Sequence, residues 1–533
     1  MEIPKLEFKS LKEIKNFLAM NKTDHANYYV KMMQDDIKII GKEQDVYFYD
    51  KCSKLWKCET KEVYNGCMAD FLNETGKSLL KCYKKIVAGM DEMDDDENIK
   101  ILKQINTLKT NFDSSSYIND IITRSTGKLQ DNKFVTKLNN TADFFPIKFG
   151  KKVDLRTLEV TDRVKQDYFS IECPVDMTKH TKHADRFFEQ VMPNKENREY
   201  LRKILGYSLS GSMDARCFFI WYGDGSNGKS VIMRIMKEIL KEFYHQCGKG
   251  IFMKGSDEKV SGPSPDKIAL IGVRCATYSE GETSDNIEMN ESFLKMVSGK
   301  DPINARQLFR ATLEFVPQCK LHMLTNYTPP LNGDASIRDR IRYIFLDSRF
   351  VDNPKGKNEF RRDEDFIDSL CEDYLSEAFT WIVKGCKTYY ETKTIVPSEE
   401  FQKRTDEVFN LEDSITSFIS TQLIITSDDK DYERRGILFE QYKLYCNNNS
   451  QRCKPRSTLF KRLEDLKIRI VKKDGYDVYR GLKVVTEYKQ EEPQKEEPKI
   501  EEPQKEEPKK EEPKKEEPKK KKISVNKFFD QLL

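Results

Sequence analysis

The sequence is poor in what builds metal sites and membrane spans. Only five His and three Trp occur in 533 residues, and the 13 Cys include no Cys-x-x-Cys pair. Zinc-ribbon spacing is therefore absent. Cys173 with His180 and His183 comes nearest to a ligand cluster, but no matching second pair accompanies it. The thiols read instead as reduced and mostly buried. No apolar run approaches the roughly 18 residues a bilayer span needs, and Met1 to Lys12 lacks the apolar centre of a signal peptide. The expectation is a soluble intracellular protein with no membrane partner. An excess of one charge is also lacking: Lys+Arg 92 against Asp+Glu 89 leaves +3. Bulk charge announces no nucleic-acid binder, so any such surface must be local.

What the chain does have is polarity, with charged residues at 34% and a mean hydropathy of -0.72. Much of it sits at the C-terminus, where Glu491 to Lys520 repeats a Glu-Glu-Pro-x-Lys unit. Proline in every unit blocks helix hydrogen bonds and the charged side chains stay hydrated, so the stretch reads as an extended linker. Beyond it lies a short apolar segment, Ile523 to Leu533, which has the character of a peptide ligand on a tether.

Ahead of residue 140 the pattern is mixed. Helical periodicity marks Ser10 to Met20, Leu79 to Met90 and Ile99 to Phe112, and alternation in Asp45 to Tyr49 predicts a strand. The acidic run Asp91 to Glu97 reads as a solvated loop. Phe145 to Val160 predicts strand and turn, and Asp185 to Ser210 two helices packed through Phe187, Phe188, Leu201, Ile204 and Leu205.

The chemistry starts at Arg216 to Tyr222, an apolar strand that runs into Gly223-Asp224-Gly225-Ser226-Asn227-Gly228-Lys229-Ser230. This fits Gly-x-x-x-x-Gly-Lys-Ser, and Ile232, Ile235, Met236, Ile239 and Leu240 then fall on one helical face. A loop between strand and helix lets backbone N–H groups close on phosphate oxygens. Lys229 would reach the outer phosphates and the Ser230 hydroxyl would ligate Mg2+ on a bound ATP.

Such a loop needs a carboxylate at the end of a neighbouring strand. Ile268 to Val273 and Arg274 to Ser279 are apolar enough to be strands, and the second ends in Glu280-Gly-Glu282. Glu280 is the leading candidate for metal, and which of Glu280 and Glu282 acts on metal and which on water is open. A third strand, Lys320 to Asn326, places Asn326 where it would orient water at the terminal phosphate. Arg338, Arg340 and Arg342 follow, and a site left open on one side takes an arginine from a neighbouring subunit.

The order of these segments, with Lys295 to Arg306 and Phe315 to Leu321 between them, resembles superfamily 3 helicases, most of all the primase-helicases of poxviruses and other large eukaryotic DNA viruses. Phe149 to Arg156 and Leu205 to Gly211 resemble that family's lead-in. The resemblance implies an α/β fold: a central AAA+-like P-loop ATPase domain, an N-terminal mixed α/β helper domain, a C-terminal winged-helix-like domain and a disordered tail. It implies an ATP hydrolase and DNA helicase with ATP and Mg2+ as cofactors, working as a hexamer that moves 3'-to-5' on single-stranded and forked DNA. Lys300, Arg306 and Arg310 would face the channel, and Arg340 matches the family's finger position better than Arg338. Localisation would be the host cytoplasm or nucleus. The strand-borne Asp-x-Asp and nearby His of a primase centre are not found, so a separate primase is expected.

On this reading the chain divides at 1–140 (N-terminal region), 141–212 (lead-in), 213–350 (ATPase core), 351–410 (helical connector), 411–487, 488–522 (repeat linker) and 523–533 (peptide). Within 411–487, helices at Ile415 to Leu423, Gly436 to Asn448 and Ser457 to Leu466 precede a hairpin through Asp474-Gly475, a winged-helix outline. Lys454, Arg456, Lys461 and Arg462 begin its third helix, and Lys472, Lys473 and Arg480 lie on the wing. Val525, Phe528 and Phe529 have the spacing of a sliding-clamp-binding peptide. Two other classes stay open: a P-loop kinase or metabolic ATPase, and an ATP-binding replication scaffold or loader that does not unwind.

Overall fold

The computed structural model describes residues 6–41, 45–90, 94–253, 264–279, 289–306, 312–326, 335–412, 414–426, 428, 430–449, 453–466, 468–473 and 475–485. The repeat linker and terminal peptide lie outside them.

Residues 6 to 129 gather round their own apolar cluster, with Tyr29, Met68, Phe71, Leu79, Ile105 and Phe112 buried in it. A three-stranded antiparallel sheet, Ile37–Ile40, Asp45–Asp50 and Leu55–Glu59, packs beside helices Lys61–Val87, Asp95–Phe112 and Ser115–Thr126. The first of these helices starts far ahead of Leu79, after an extended Thr60, because Tyr64, Met68 and Phe71 continue the buried face. The acidic run is likewise not all loop. Asp94 accepts from the Asp96 N–H, and Asp95, Asp96 and Glu97 fill the first helical turn, where carboxylates favour the helix dipole.

The middle of the chain builds an α/β body round a five-stranded parallel sheet. Ahead of it come α1 (Lys182–Val191) and α2 (Lys195–Leu209). The sheet strands are β1 (Phe218–Tyr222), β2 (Tyr244–Gln246), β3 (Cys275–Ser279), β4 (Lys320–Thr325) and β5 (Ile341–Phe345). Their order in space is β5-β1-β4-β3-β2. β1 and β4 are buried along nearly their whole length, as central parallel strands covered on both faces must be. Helix α3 (Lys229–Leu240) follows β1, α4 (Glu291–Gly299) precedes β4, and α5 (Leu375–Thr392) lies against α2.

One expected strand is absent. Ile268 to Val273 is a short helix, Pro265–Ile268, followed by turns through Gly272 at φ +74°. Pro265 at the first helical position and a left-handed glycine set this geometry, and an apolar run alone does not discriminate between them. One apolar cluster runs from Phe145 through the sheet to Phe409, so residues 145–409 share a core.

Two cations sit fully buried at the N-terminal ends of β3 and β4. Arg274 donates to the carbonyls of Leu209 at 2.6 Å, Phe144 at 2.8 Å and Thr141 at 3.0 Å, with its plane 4.5 Å from the Phe243 ring. Lys320 donates to the carbonyls of Ser210 and Gln318 and lies 4.7 Å from the Tyr207 ring. Leu209 and Ser210 end α2, where the helix dipole is negative. Burial pushes Lys320 down to about 7, with Arg274 nearby adding to the effect.

Because the folded Lys320 sheds its proton before the unfolded one does, its burial penalty is full below pH 7 and relaxes between 7 and 10.5. Lys320→Met has no such penalty. The gap between the urea midpoints of variant and wild type is expected to narrow from pH 7 to pH 10. A gap independent of pH would show that Lys320 stays charged throughout.

Candidate functional site

All five strands run parallel, so their C-terminal ends form one edge, where open α/β sheets hold their ligands. In register, Tyr222 of β1 lies between Thr325 of β4 and Phe345 of β5, and Leu324 is paired with Ser279 of β3. The residues that continue these strands are Gly223, Asn326, Leu346 and Glu280. Glu280 and Glu282 lie outside the described residues, while Ser279, the last described residue of β3, is at this edge.

The loop 223–228 is held open by backbone shapes that favour glycine. Gly223 has φ +156° and Gly228 φ +90°, and Ser226 is also left-handed at +62°. A Cβ on Gly223 would meet Asn227 Nδ2 and lie 2.7 Å from the Leu346 carbonyl oxygen. Asn227 donates to that same carbonyl at 3.3 Å, and the Phe350 N–H donates to the Ser226 carbonyl at 2.7 Å. The chain leaving β5 thus clamps the loop from behind, a role for Asn227 and Phe350 that spacing alone did not disclose. Among the described residues nothing accepts from the backbone N–H groups of 224–228, which leaves them a cradle for an anion.

Lys229 opens α3 and is buried, 8% exposed. Its ammonium donates to the Gly223 carbonyl and, at 3.0 Å, to Asn326 Oδ1. Burial pushes it down to about 8, opposed by the charge of Asp224. Ser230 is exposed in the first turn, where its hydroxyl is accessible to a metal. The cradle, the cation and the hydroxyl fit a magnesium-bound nucleoside triphosphate.

The remaining candidates lie elsewhere. Arg338 and Arg340 precede β5, so they stand at the opposite edge of the sheet, a strand length of roughly 16 Å away. Arg340 donates to the Ser336 carbonyl at 2.6 Å, and Arg338 lies over the Phe409 ring at 5.1 Å. Lys300, left-handed at φ +66°, caps α4 and forms an ion pair with Asp214. Beyond it Ile303–Ala305 and Leu313–Phe315 pair as an antiparallel hairpin. Arg306 is exposed just after the first strand, and Arg310 lies outside the described residues.

Cys173 is buried with its sulfur 3.8 Å from the Leu240 carbonyl, whereas His183 stacks on Tyr374 and meets Glu377 at 3.1 Å. The two do not converge.

The C-terminal region includes α6 (Ser414–Gln422), β6 (Tyr432–Arg434), α7 (Arg435–Asn448), α8 (Arg456–Asp465) and the antiparallel strands β7 (Arg469–Lys473) and β8 (Tyr476–Arg480). The sheet order is β6-β8-β7. Lys461 and Arg462 are exposed on α8 and Lys472 and Lys473 on β7, with the Lys473 ammonium 3.5 Å from the Tyr432 ring. Val525, Phe528 and Phe529 lie outside the described residues. Among the described residues no helix is long and apolar enough to cross a membrane.

No family model matches the chain. It is similar to a protein of Acanthamoeba polyphaga mimivirus named as a helicase, 28% identical over 34% of this chain and 19% of the relative. A second protein named as a helicase, from Invertebrate iridescent virus 6, is 28% identical over 43% of this chain and 25% of the relative. Primase D5 of Fowlpox virus is 22% identical over 38% of this chain and 26% of that protein. The chain's homologues are thus proteins named as helicases and primases of large DNA viruses, as its motif order implies. The chain spans between a fifth and just over a quarter of the length of the curated relatives it matches. Among solved structures, the C-terminal region of NrS-1 gives a TM-score of 0.38 at 12% identity over 63% of this chain and 83% of that one; at that score the likeness carries no argument.

Proposed function

We propose that the chain is an ATP-driven, ring-forming DNA helicase or translocase of viral-type replication. The meeting of Lys229 and Asn326 at the C-terminal edge of the parallel sheet carries this reading. The glycine loop would cradle the triphosphate through its N–H groups while Lys229 turns from the Gly223 carbonyl to the outer phosphates. Ser230 and Glu280 would hold Mg2+, which lends charge neutralisation at the phosphoryl oxygens when bound. Glu282 stands next in line for whichever role, metal or water, Glu280 does not take. Asn326, released by Lys229, would orient the attacking water.

Arg340, with Arg338 second, is set too far from its own loop to touch that nucleotide. It would instead complete a neighbour's site, which is the argument for a ring and a hexamer of AAA+-like domains. Lys300, which precedes the Ile303–Ala305 and Leu313–Phe315 pair, Arg306, which follows its first strand, and Arg310 are proposed to touch single-stranded DNA, and Lys300 would exchange Asp214 for phosphate. The C-terminal region is read as a winged helix with Lys461, Arg462, Lys472 and Lys473 toward forked DNA. Residues 523–533 are proposed to reach a sliding clamp and the priming partner to be a separate chain. The primase names belong to relatives far longer than this chain. Action in host cytoplasm or nucleus completes the proposal.

The test is steady-state ATP hydrolysis with and without single-stranded DNA on protein sized by light scattering. Stimulated turnover by a ring is expected. Unstimulated turnover by a monomer would overturn the reading in favour of a kinase or metabolic ATPase.

A further inference from the structure

The C-terminal region holds a cavity of about 810 Å³ that the reading above leaves without a role. Its size falls among sites that enclose ligands, about 300–1,000 Å³. It opens where the N-terminal ends of α7 and α8 come up against the β7–β8 hairpin. Arg434 immediately precedes α7, Arg435 is its first residue and Arg456 is the first residue of α8.

Each of these guanidinium groups is seated on an aromatic ring. Arg434 lies 4.1 Å from the centroid of Tyr476, Arg435 4.3 Å from Phe460 and Arg456 5.1 Å from Phe460. Stacking uses the flat face of the group and leaves its edge of N–H donors unused.

Carboxylates leave the edges of Arg434 and Arg456 free. Glu440, in the lining, is paired with Lys443 at 2.9 Å. Arg435 is ion-paired with Glu464 at 3.8 Å and with Asp477, also in the lining, at 3.6 Å, so it is not counted among the free donors. Among the described residues Arg434 and Arg456 have no carboxylate partner. The same cavity exposes apolar surface: Ile437 is 48% exposed, Leu444 51% and Tyr476 54%.

Donor edges beside an apolar and aromatic shelf suit a ligand that offers phosphates and bare ring faces together. A duplex hides its bases in the stack, whereas a single strand presents both. Tyr476, with the Arg434 guanidinium over its ring at 4.1 Å, is a cation-bearing ring beside which an unpaired base can pack. We propose that this cavity is a single-stranded DNA site, Arg434 and Arg456 taking phosphates and Tyr476 a base. The inference rests on the DNA-translocase reading and adds a contact surface apart from Lys461 and Arg462, which lie outside the cavity's lining.

Full-length protein is titrated into fluorescein-labelled oligothymidylate across a salt series, and fluorescence anisotropy gives Kd. Arg434 and Arg456 are exposed, so Arg434→Ala with Arg456→Ala is expected to leave the melting temperature unchanged. The double variant is expected to raise Kd about tenfold or more, and loss of two phosphate contacts lowers the slope of log K against log salt by about 1.4. Lysines at both positions restore the slope but only part of the affinity, because the fork is gone.

Unchanged Kd and slope, in a wild type that binds DNA and is stimulated by it, would overturn the cavity and leave the translocase reading standing. A wild type that neither binds nor is stimulated would overturn both. An oligoglutamate peptide that binds the wild type and loses to the double variant, with DNA binding intact, would make the cavity a protein-docking site instead.

Discussion

Replacing Lys229 by alanine is expected to lower DNA-stimulated ATP turnover by at least about 10²–10³-fold, the cost of removing one preorganised donor from developing charge. Lys229 is held ready at the sheet edge by two neutral acceptors, the Gly223 carbonyl and Asn326 Oδ1. Neither offsets burial, which is why the free ammonium sits at about 8 rather than near 10.5. A triphosphate brings the missing negative charge and raises that value, so nucleotide binding should take up a proton between about pH 8 and 10. Affinity therefore falls as pH rises through 8. Calorimetry in two buffers of different ionisation enthalpy measures the uptake directly, and Lys229→Met should abolish it. Affinity and proton count that stay flat from pH 7 to 10 would mean Lys229 does not face the phosphates.

The parts of this site that are local in sequence were legible in it. Gly223 to Ser230 announces a strand, a loop and a helix within a few residues, and the structure places Phe218–Tyr222 and Lys229–Leu240 on its two sides. The place of Asn326 at the sheet edge was readable because an apolar strand ends there in Thr-Asn. Ile268 to Val273 was misread because an apolar run of that length suits helix, turn or strand, and Pro265 was the discriminating residue. The clamp of Asn227 on Leu346, across 119 positions, has no local signature. Arg274 and Lys320 open apolar strands in the sequence with no local sign that they are fully buried, since the carbonyls that hold them belong mostly to the end of α2 and to residues 141–144. Arg434 and Arg435 were passed over for the same reason: their aromatic seats lie on α8 and β8.

The same lesson gives the second large effect. Residues 351–410 read as a connector, yet α5 within them crosses α2 with backbone on backbone. A methyl group on Gly206 would overlap the backbone of Cys386 and come within 2.5 Å of the Gly385 carbonyl carbon. One on Gly385 would overlap the Arg202 carbonyl. Two helices at this separation cannot yield a methyl's width without repacking Tyr207 against Tyr389, whose rings are 4.4 Å apart.

Gly206→Ala is therefore expected to cost about 3 kcal/mol or more, at the upper end for overpacked cores, and to lower the melting temperature by several degrees. Gly66, inside helix Lys61–Val87 with open space where its Cβ would sit, is the control: Gly66→Ala should stabilise by up to about 1 kcal/mol. The loss should reach the proposed nucleotide site, because the C-terminal end of α2 holds Lys320 and Arg274, and Ser208 bonds His322 inside β4 at 2.9 Å. Nucleotide-induced stabilisation measured by thermal shift should shrink in Gly206→Ala and persist in Gly66→Ala. Equal melting temperatures for the two variants would show that α2 and α5 do not touch at these glycines.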